Sequence, residues 1–343
     1  MKTILDQKTG TAFTAIHGDC IEAIRDIPDN SIDFSVYSPP FSSLYIYSES
    51  ERDMGNVEND EQFMQFYSLL IREKLRVTRP GRLSAIHVKD LVYYQGSSER
   101  GDAGIRPFSD MCVSEHLAQG WTYHCRITIW RDPVLERGKT NAHGLLRKTR
   151  RSDASFCRVG MPEYLLVFRK WALTDVDKAL VRPLENPDYP TELWQQEASP
   201  VWDGETIWNY QLRQSGKGDF DLPATNVLNV KAAKDEEAEK HLCPMPLNIS
   251  ERAIHLWSAR GDVVLSPFMG IGSEGWSALK TGRKFVGFEL NPKYFEYAVR
   301  NLSGIEQEVS GGSLIDLMGQ REPAQPFRPS CELPPPIEPC SKR

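Results

Sequence analysis

The chain has 343 residues, 40% hydrophobic, 26% charged and 10% aromatic, enough for a large core and too apolar for a fibrous or wholly disordered protein. Forty-one basic residues against forty-seven acidic ones leave a net charge of -6, which excludes a non-specific polycation but permits a local basic face. No run approaches the roughly 18 apolar residues of a membrane-spanning helix, and the first ten residues are polar where a signal peptide is apolar, so a cytoplasmic protein without membrane contact is expected.

In chain order, residues 14–17 and 32–37 read as strands, joined by a short helix over 20–26 that Asp19 can cap and a turn at Pro28-Asp29-Asn30. Phe63, Phe66, Leu69, Leu70 and Leu75 recur at helical spacing over 61–77, and Arg79-Pro80-Gly81 predicts the stop. A strand over 83–88, a helix over 108–118 and apolar runs over 123–130 and 164–168 follow. Residues 171–239 are rich in Pro, Trp, Asp and Glu and read as an irregular insertion. Helices over 249–258, 273–280 and 292–302 then alternate with strands over 262–265 and 284–288, the pattern of a doubly wound α/β sheet. Seven prolines between Pro323 and Pro339 predict a disordered Pro-rich tail over 305–343. The seven cysteines (Cys20, Cys112, Cys125, Cys157, Cys243, Cys331, Cys340) are scattered and never form Cys-x-x-Cys, so reduced thiols and no metal site are expected.

Gly270, Gly272 and Gly275 show the G-x-G-x-x-G spacing between a strand and a helix, and Glu289 ends the next strand nineteen residues after Gly270. Such glycines let backbone approach a bulky ligand, and a carboxylate at that position can accept hydrogen bonds from two ribose hydroxyls. An adenosine-bearing cofactor is expected, either NAD or S-adenosylmethionine. Glu274 at the start of the helix would repel a pyrophosphate and not a sulfonium, which favours S-adenosylmethionine.

Ser38-Pro39-Pro40-Phe41 follows the strand over 32–37, at the carboxyl end where open α/β sheets bind ligands. Consecutive prolines stiffen the loop and lack N–H donors. The exocyclic amine of cytosine or adenine is a poor nucleophile because its lone pair is delocalised into the ring. If Ser38 Oγ and the Pro39 carbonyl each accept one N–H, the nitrogen can pyramidalise and aim its lone pair at a methyl sulfonium. Phe41 can stack on a base extruded from the duplex.

These residues resemble the DNA amino-methyltransferases that act on cytosine N4 or adenine N6, in the permuted β-group order: residues 15–20, then the tetrapeptide, a target-recognition region and last the cofactor loop. His241-Leu242-Cys243-Pro244-Met245-Pro246 resembles the family's His-x-x-Pro-x-Pro segment, residues 266–273 its Asp-Pro-Phe-x-Gly-x-Gly-Thr loop, and Val286-Gly287-Phe288-Glu289 its ribose-binding strand. The resemblance implies a Rossmann-like methyltransferase sheet with the catalytic half over 11–130, the target-recognition region and irregular insertion over 131–240, and the S-adenosylmethionine half over 241–304. It also implies cofactor contacts from Asp19, Pro244, Ser266, Phe268, Gly270, Gly272 and Glu289. Ser266 and Ser273 depart from the usual Asp and Thr. Ser38, where adenine enzymes usually have Asp or Asn, resembles the cytosine-N4 subgroup, with adenine N6 as the alternative.

Six of the fifteen residues over 137–151 are cationic (Arg137, Lys139, Arg147, Lys148, Arg150, Arg151), with Asn141 and His143 among them, where the family places its DNA contacts. Lys and Arg can neutralise phosphates of double-stranded DNA, and Asn141, His143 or an Arg can read base edges. A cognate restriction endonuclease is a possible partner on this reading. Rival readings are an NAD-dependent oxidoreductase, which leaves the tetrapeptide without a task, a methyltransferase of RNA or of protein amides, and a non-enzymatic DNA-binding protein. A cysteine route to 5-methylcytosine fails because Cys243-Pro244, the one plausible thiol, lies in the cofactor segment.

Overall fold

The computed structural model describes residues 4–41, 54–98, 100–133, 147–156, 158–174, 189–203, 227–228 and 244–319. Strands β1 (Ile4–Thr9) and β2 (Phe13–Gly18) form a hairpin, and helix α1 (Cys20–Ala23) continues as a 3-10 turn to Asp26. Strand β3 (Ile32–Tyr37), helix α2 (Asp60–Val77) and strand β4 (Thr78–Lys89) come next, followed by the small hairpin β5 (Leu91–Tyr93) and β6 (Gly104–Arg106). Helix α3 (Phe108–Ala118), strand β7 (Thr122–Ile129), helix α4 (Arg147–Ser152) and strand β8 (Glu163–Arg169) follow, then helix α5 (Thr191–Glu197) and the short strand β9 (Val201–Trp202). The C-terminal unit is α6 (Leu247–Trp257), β10 (Val263–Ser266), α7 (Ser273–Lys280), β11 (Lys284–Glu289) and α8 (Pro292–Gly319).

The main sheet runs β1-β2-β11-β10-β3-β4-β8-β7-β9. The five strands from β2 to β4 are parallel, β8 is antiparallel to both of its neighbours, and β1 pairs antiparallel with β2. The two ends of the chain therefore share one sheet, with β10 and β11 inserted between β2 and β3. Strand β3 is buried along its whole length, as a parallel strand covered on both faces must be. Phe34 and Val36 face a core closed by α6, α7 and α8 through Ile249, Ile254, Ala278 and Leu302, while Ile32 and Tyr37 face one closed by α2 and α3 through Phe63, Leu70 and Phe108.

Leaving β10 the chain turns through α7 to β11 on one side, and leaving β3 it turns through α2 to β4 on the other. The junction of β10 and β3 is therefore the point where winding reverses, the usual ligand crevice of such sheets. Register places Val264 against Phe34 and Leu265 against Ser35, so the loops after both strands leave the sheet side by side.

Four expectations are corrected. Strand β1 has no forecast, because Lys8 and Thr9 are as polar as any loop and pairing with β2 alone makes them a strand. The helix stop expected at Arg79-Pro80-Gly81 is met, with α2 ending at Val77, but the strand expected over 83–88 begins already at Thr78, directly after the helix, and Gly81, at φ 78°, donates to the Lys170 carbonyl at 2.8 Å. Residues 131–240 are not one inserted region. Strand β8 is an interior strand of the sheet, and the stretch read as irregular supplies α5 and β9, whose Trp202 is fully buried. Helix α8 does not end near Leu302 but runs to Gly319, with Ile305 buried in the core and Glu306 accepting the Ala12 amide at 2.6 Å. The remainder of the Pro-rich tail lies outside the described residues. No helix among the described residues is long and apolar enough to cross a membrane.

Candidate active site

One cleft opens at the carboxyl ends of β2, β3, β10 and β11. Asp19, Ser38, Pro39, Pro40, Phe41, Pro244, Phe268, Gly270 and Glu289 all line it, although the sequence separates them by up to 270 residues. Two of the expected cofactor residues stand elsewhere. Ser266 is the last residue of β10 with no exposed surface, and Gly272 presses on Ala298 of α8, where its φ of 90° lets the chain enter α7. A Cβ on Gly275 would meet Phe285 and Leu302 at 2.6 Å, so the third glycine sets the approach of helix to strand.

Neighbouring elements fix the glycine loop. The Met269 amide donates to the Phe288 carbonyl at 2.9 Å, and Asn301 of α8 donates to the Ile271 carbonyl at 2.8 Å. Glu289 closes the arrangement: one carboxylate oxygen accepts the Gly270 amide at 2.9 Å, the other the Asn291 amide at 2.8 Å. An ionised carboxylate offers about four lone-pair sites, so two amides do not exhaust it. Asp19 caps α1 by accepting the Ile21 amide at 2.9 Å and also faces the cleft, so the cap and the cleft share one side chain.

Two polar side chains in or beside the glycine loop lack hydrogen-bond partners among the described residues, Ser266 Oγ and Ser273 Oγ, both buried. The buried Glu274 carboxylate makes no ion pair among the described residues. Burial, opposed by its own amide and reinforced by the charge of Glu289, pushes the Glu274 carboxyl up to about 8. Burial likewise raises the Cys20 thiol well above its ordinary value, with Asp19 and Glu289 adding to the effect, so it is no nucleophile.

The tetrapeptide is held differently. Ser38 Oγ lies 3.1 Å from His87 Nδ1, His87 Nε2 lies 2.9 Å from Glu163 Oε2, and Arg131 donates to that same oxygen at 2.7 Å. His87 belongs to β4 and Glu163 begins β8, strands adjacent to each other, with β4 also adjacent to β3. Burial works against ionisation of Glu163, but the hydrogen bonds and charges of His87 and Arg131 outweigh it and hold the carboxyl well below its ordinary range. None of the three is among the site residues expected from the sequence. The available signal was a histidine within the apolar strand after α2, but its meaning depends on strand order. Met245, Ile271, Glu274, Asn291 and Tyr294 also line the cleft and are not among the residues expected as cofactor contacts.

The basic segment is only partly visible. Arg137, Lys139, Asn141 and His143 lie outside the described residues. Arg147, Lys148, Arg150 and Arg151 share the six-residue helix α4. The segment connects the end of β7 to the start of β8, which by strand direction is the cleft end of the sheet.

Comparison with known proteins places this geometry. Residues 32–300 match the N6/N4 methyltransferase family described as DNA methylase. The type II methyltransferase M.BglI of Bacillus subtilis is 22% identical over 316 residues, spanning 83% of this chain and 84% of that protein. The DNA adenine methyltransferase YhdJ of Escherichia coli K12 is 25% identical over 295 residues, spanning 85% of this chain and 83% of that protein. Among solved structures, the DNA modification methylase TTHA0409 of Thermus thermophilus, complexed with S-adenosyl-L-methionine, superposes with a TM-score of 0.55 at 20% identity, covering 84% of this chain and 94% of that one. The cytosine-N4-specific PvuII DNA methyltransferase gives 0.54 at 13% identity, covering 90% and 97%. With the match spanning most of its length and a proline loop facing a glycine loop across one cleft, the chain belongs to the DNA methylase family of N6-adenine and N4-cytosine methyltransferases.

Proposed function

We propose that this enzyme transfers a methyl group from S-adenosylmethionine to the exocyclic amine of a base flipped out of double-stranded DNA, with cytosine N4 as the target. The observation that carries the reading is the meeting of Ser38-Pro39-Pro40-Phe41 and the 266–273 loop on one cleft at the winding reversal.

The donor set fits this cofactor. Glu289 and Asp19 offer carboxylates to ribose and adenine, while the unpartnered Ser273 hydroxyl and the buried Glu274 carboxyl suit a ligand with a cationic, hydrogen-bonding end. When bound, S-adenosylmethionine supplies an electrophilic methyl group on sulfur. Ser38 Oγ and the Pro39 carbonyl accept the two amine hydrogens. No hydrogen bond among the described residues engages that carbonyl. Phe41, half-buried at the cleft, offers a ring for the extruded base to stack on. Arg137, Lys139, Arg147, Lys148, Arg150 and Arg151 contact phosphates and help offset the cost of flipping, roughly a few kcal/mol, while Asn141 and His143 read bases.

Ser38 at the first position of the tetrapeptide supports cytosine over adenine, and type II relatives support a cognate restriction endonuclease as partner. DNA from cells expressing the enzyme, sequenced by a method that distinguishes 4-methylcytosine from 6-methyladenine, is expected to carry 4-methylcytosine within one short sequence. 6-Methyladenine there instead would reassign the base, and unmodified DNA would defeat the reading.

A further inference from the structure

Ser38 is wired on the side away from the cofactor. Its hydroxyl meets His87 Nδ1, the far nitrogen of that ring meets Glu163, and Arg131 grips the same carboxylate oxygen. Glu163, as an ionised carboxylate, can only accept, so His87 Nε2 carries the proton and Nδ1 is left as the acceptor of the Ser38 O–H. Ser38 thereby gives away its only hydrogen and keeps its lone pairs for an incoming N–H. His87 and Glu163 are absent from the cleft lining, so they act through Ser38 and touch neither base nor cofactor.

We propose that His87 and Glu163 form a relay that orients Ser38 and receives the proton released by amine methylation. This rests on the proposed reaction and deepens it. In that reaction the amine lone pair forms the bond to the methyl carbon, and the carbon–sulfur bond breaks with its electron pair going to sulfur. The nitrogen, left positively charged, gives one proton to Ser38 Oγ as the Ser38 hydroxyl proton passes to His87 Nδ1. The resulting imidazolium faces the Glu163 carboxylate, and its extra proton leaves to solvent before the next cycle.

The charged and titratable groups around His87 are consistent with this. Glu163 comes from β8 and Arg131 from the end of β7, Ser38 from the end of β3, and Lys89 follows two residues on along the same face of β4. Arg131 keeps Glu163 ionised, so the carboxylate stabilises the imidazolium and does not take the proton itself. Arg131 and Glu163 flank in sequence the connection between β7 and β8, and Arg131 is joined through Glu163 and His87 to Ser38.

The test is a single-turnover methyl transfer from tritiated S-adenosylmethionine to mixed-sequence duplex DNA, from pH 5.5 to 9, with the full chain and with His87→Gln and Glu163→Gln. The wild-type rate is expected to rise with pH along an acid limb. His87→Gln should slow the chemical step by about a hundredfold or more, in the range of a lost general base, and abolish that limb. Glu163→Gln should move the limb to lower pH by removing the charge that stabilises the imidazolium. KM for DNA and the cofactor dissociation constant should be unchanged in both. A structural clamp would instead shift KM or melting temperature and leave the limb in place, which overturns the relay. Should either variant fail to fold, NMR titration of 15N-labelled His87 in the wild type decides: a midpoint matching the kinetic limb supports the relay and a different one overturns it. Wild-type protein that methylates no DNA would sink the substrate reading, whereas normal transfer with an unaltered His87→Gln profile sinks the relay alone.

Discussion

The two loops that meet in the cleft are built on opposite principles. The proline loop after β3 is rigid and already connected: Ser38 is bonded to a histidine that is bonded to a doubly held carboxylate. The glycine loop after β10 has its backbone pinned, but Ser266 and Ser273 are buried without partners and Glu274 is buried without a counter-ion among the described residues. A buried polar group without a partner costs roughly 1–3 kcal/mol, and of these groups Ser273 and Glu274 line the cleft, where a suitable ligand can reach them, whereas Ser266 does not. The base side is organised before substrate arrives, and the cofactor side is completed by its ligand.

Ser38→Ala attacks the connected side. It is expected to lower kcat by about 10²–10³, the cost of losing one preorganised polar contact, with cofactor affinity unchanged by calorimetry. An equal fall in affinity would show that the loops are not separable. Glu289→Ala attacks the other side: loss of charged hydrogen bonds worth about 1.5–3 kcal/mol should raise the cofactor dissociation constant roughly ten- to hundredfold, with kcat recovered at saturating cofactor. An unaltered constant would mean the ribose lies elsewhere. Phe41→Ala should weaken capture of the flipped base by about tenfold, within the ~1–3 kcal/mol of a base–aromatic stack, seen as a higher KM for DNA and not for cofactor.

Glu274→Gln gives the subtlest effect and sharpens the contrast most. The folded-state carboxyl titrates at about 8 against an ordinary 4.5. Below the ordinary value both states are protonated and its contribution is complete. As pH rises from there through 8, the unfolded chain gives up the proton first and stability is lost. Wild-type melting temperature should therefore fall relative to Glu274→Gln across that window, and S-adenosylmethionine should narrow the gap by pairing its cationic end with the carboxylate. Parallel melting curves across that range would rule this out.

Both loops were legible in the sequence because local backbone chemistry specifies them. Two prolines after a buried strand, and three glycines between a strand and a helix, have few conformations open to them. The relay was not legible. His87 lies 49 residues from Ser38 and 76 from Glu163, and only the order β3-β4-β8 brings the three together. The reading of irregular structure over 171–239 and after 304 missed β9 and the extension of α8. Their order comes from Trp202 and Ile305 reaching the core, a property of tertiary burial and not of local propensity.

By itself the sequence determined the class of fold, the family and the two motifs, since each rests on periodicity or on residues close together in the chain. The tertiary structure decided that the motifs share one cleft, that Ser266 and Gly272 support it from outside, and that a histidine and a glutamate stand behind the serine. Those facts depend on which strands lie side by side and in what register. That pairing is set by the packing of helices on both faces of the whole sheet, which no short stretch of chain encodes.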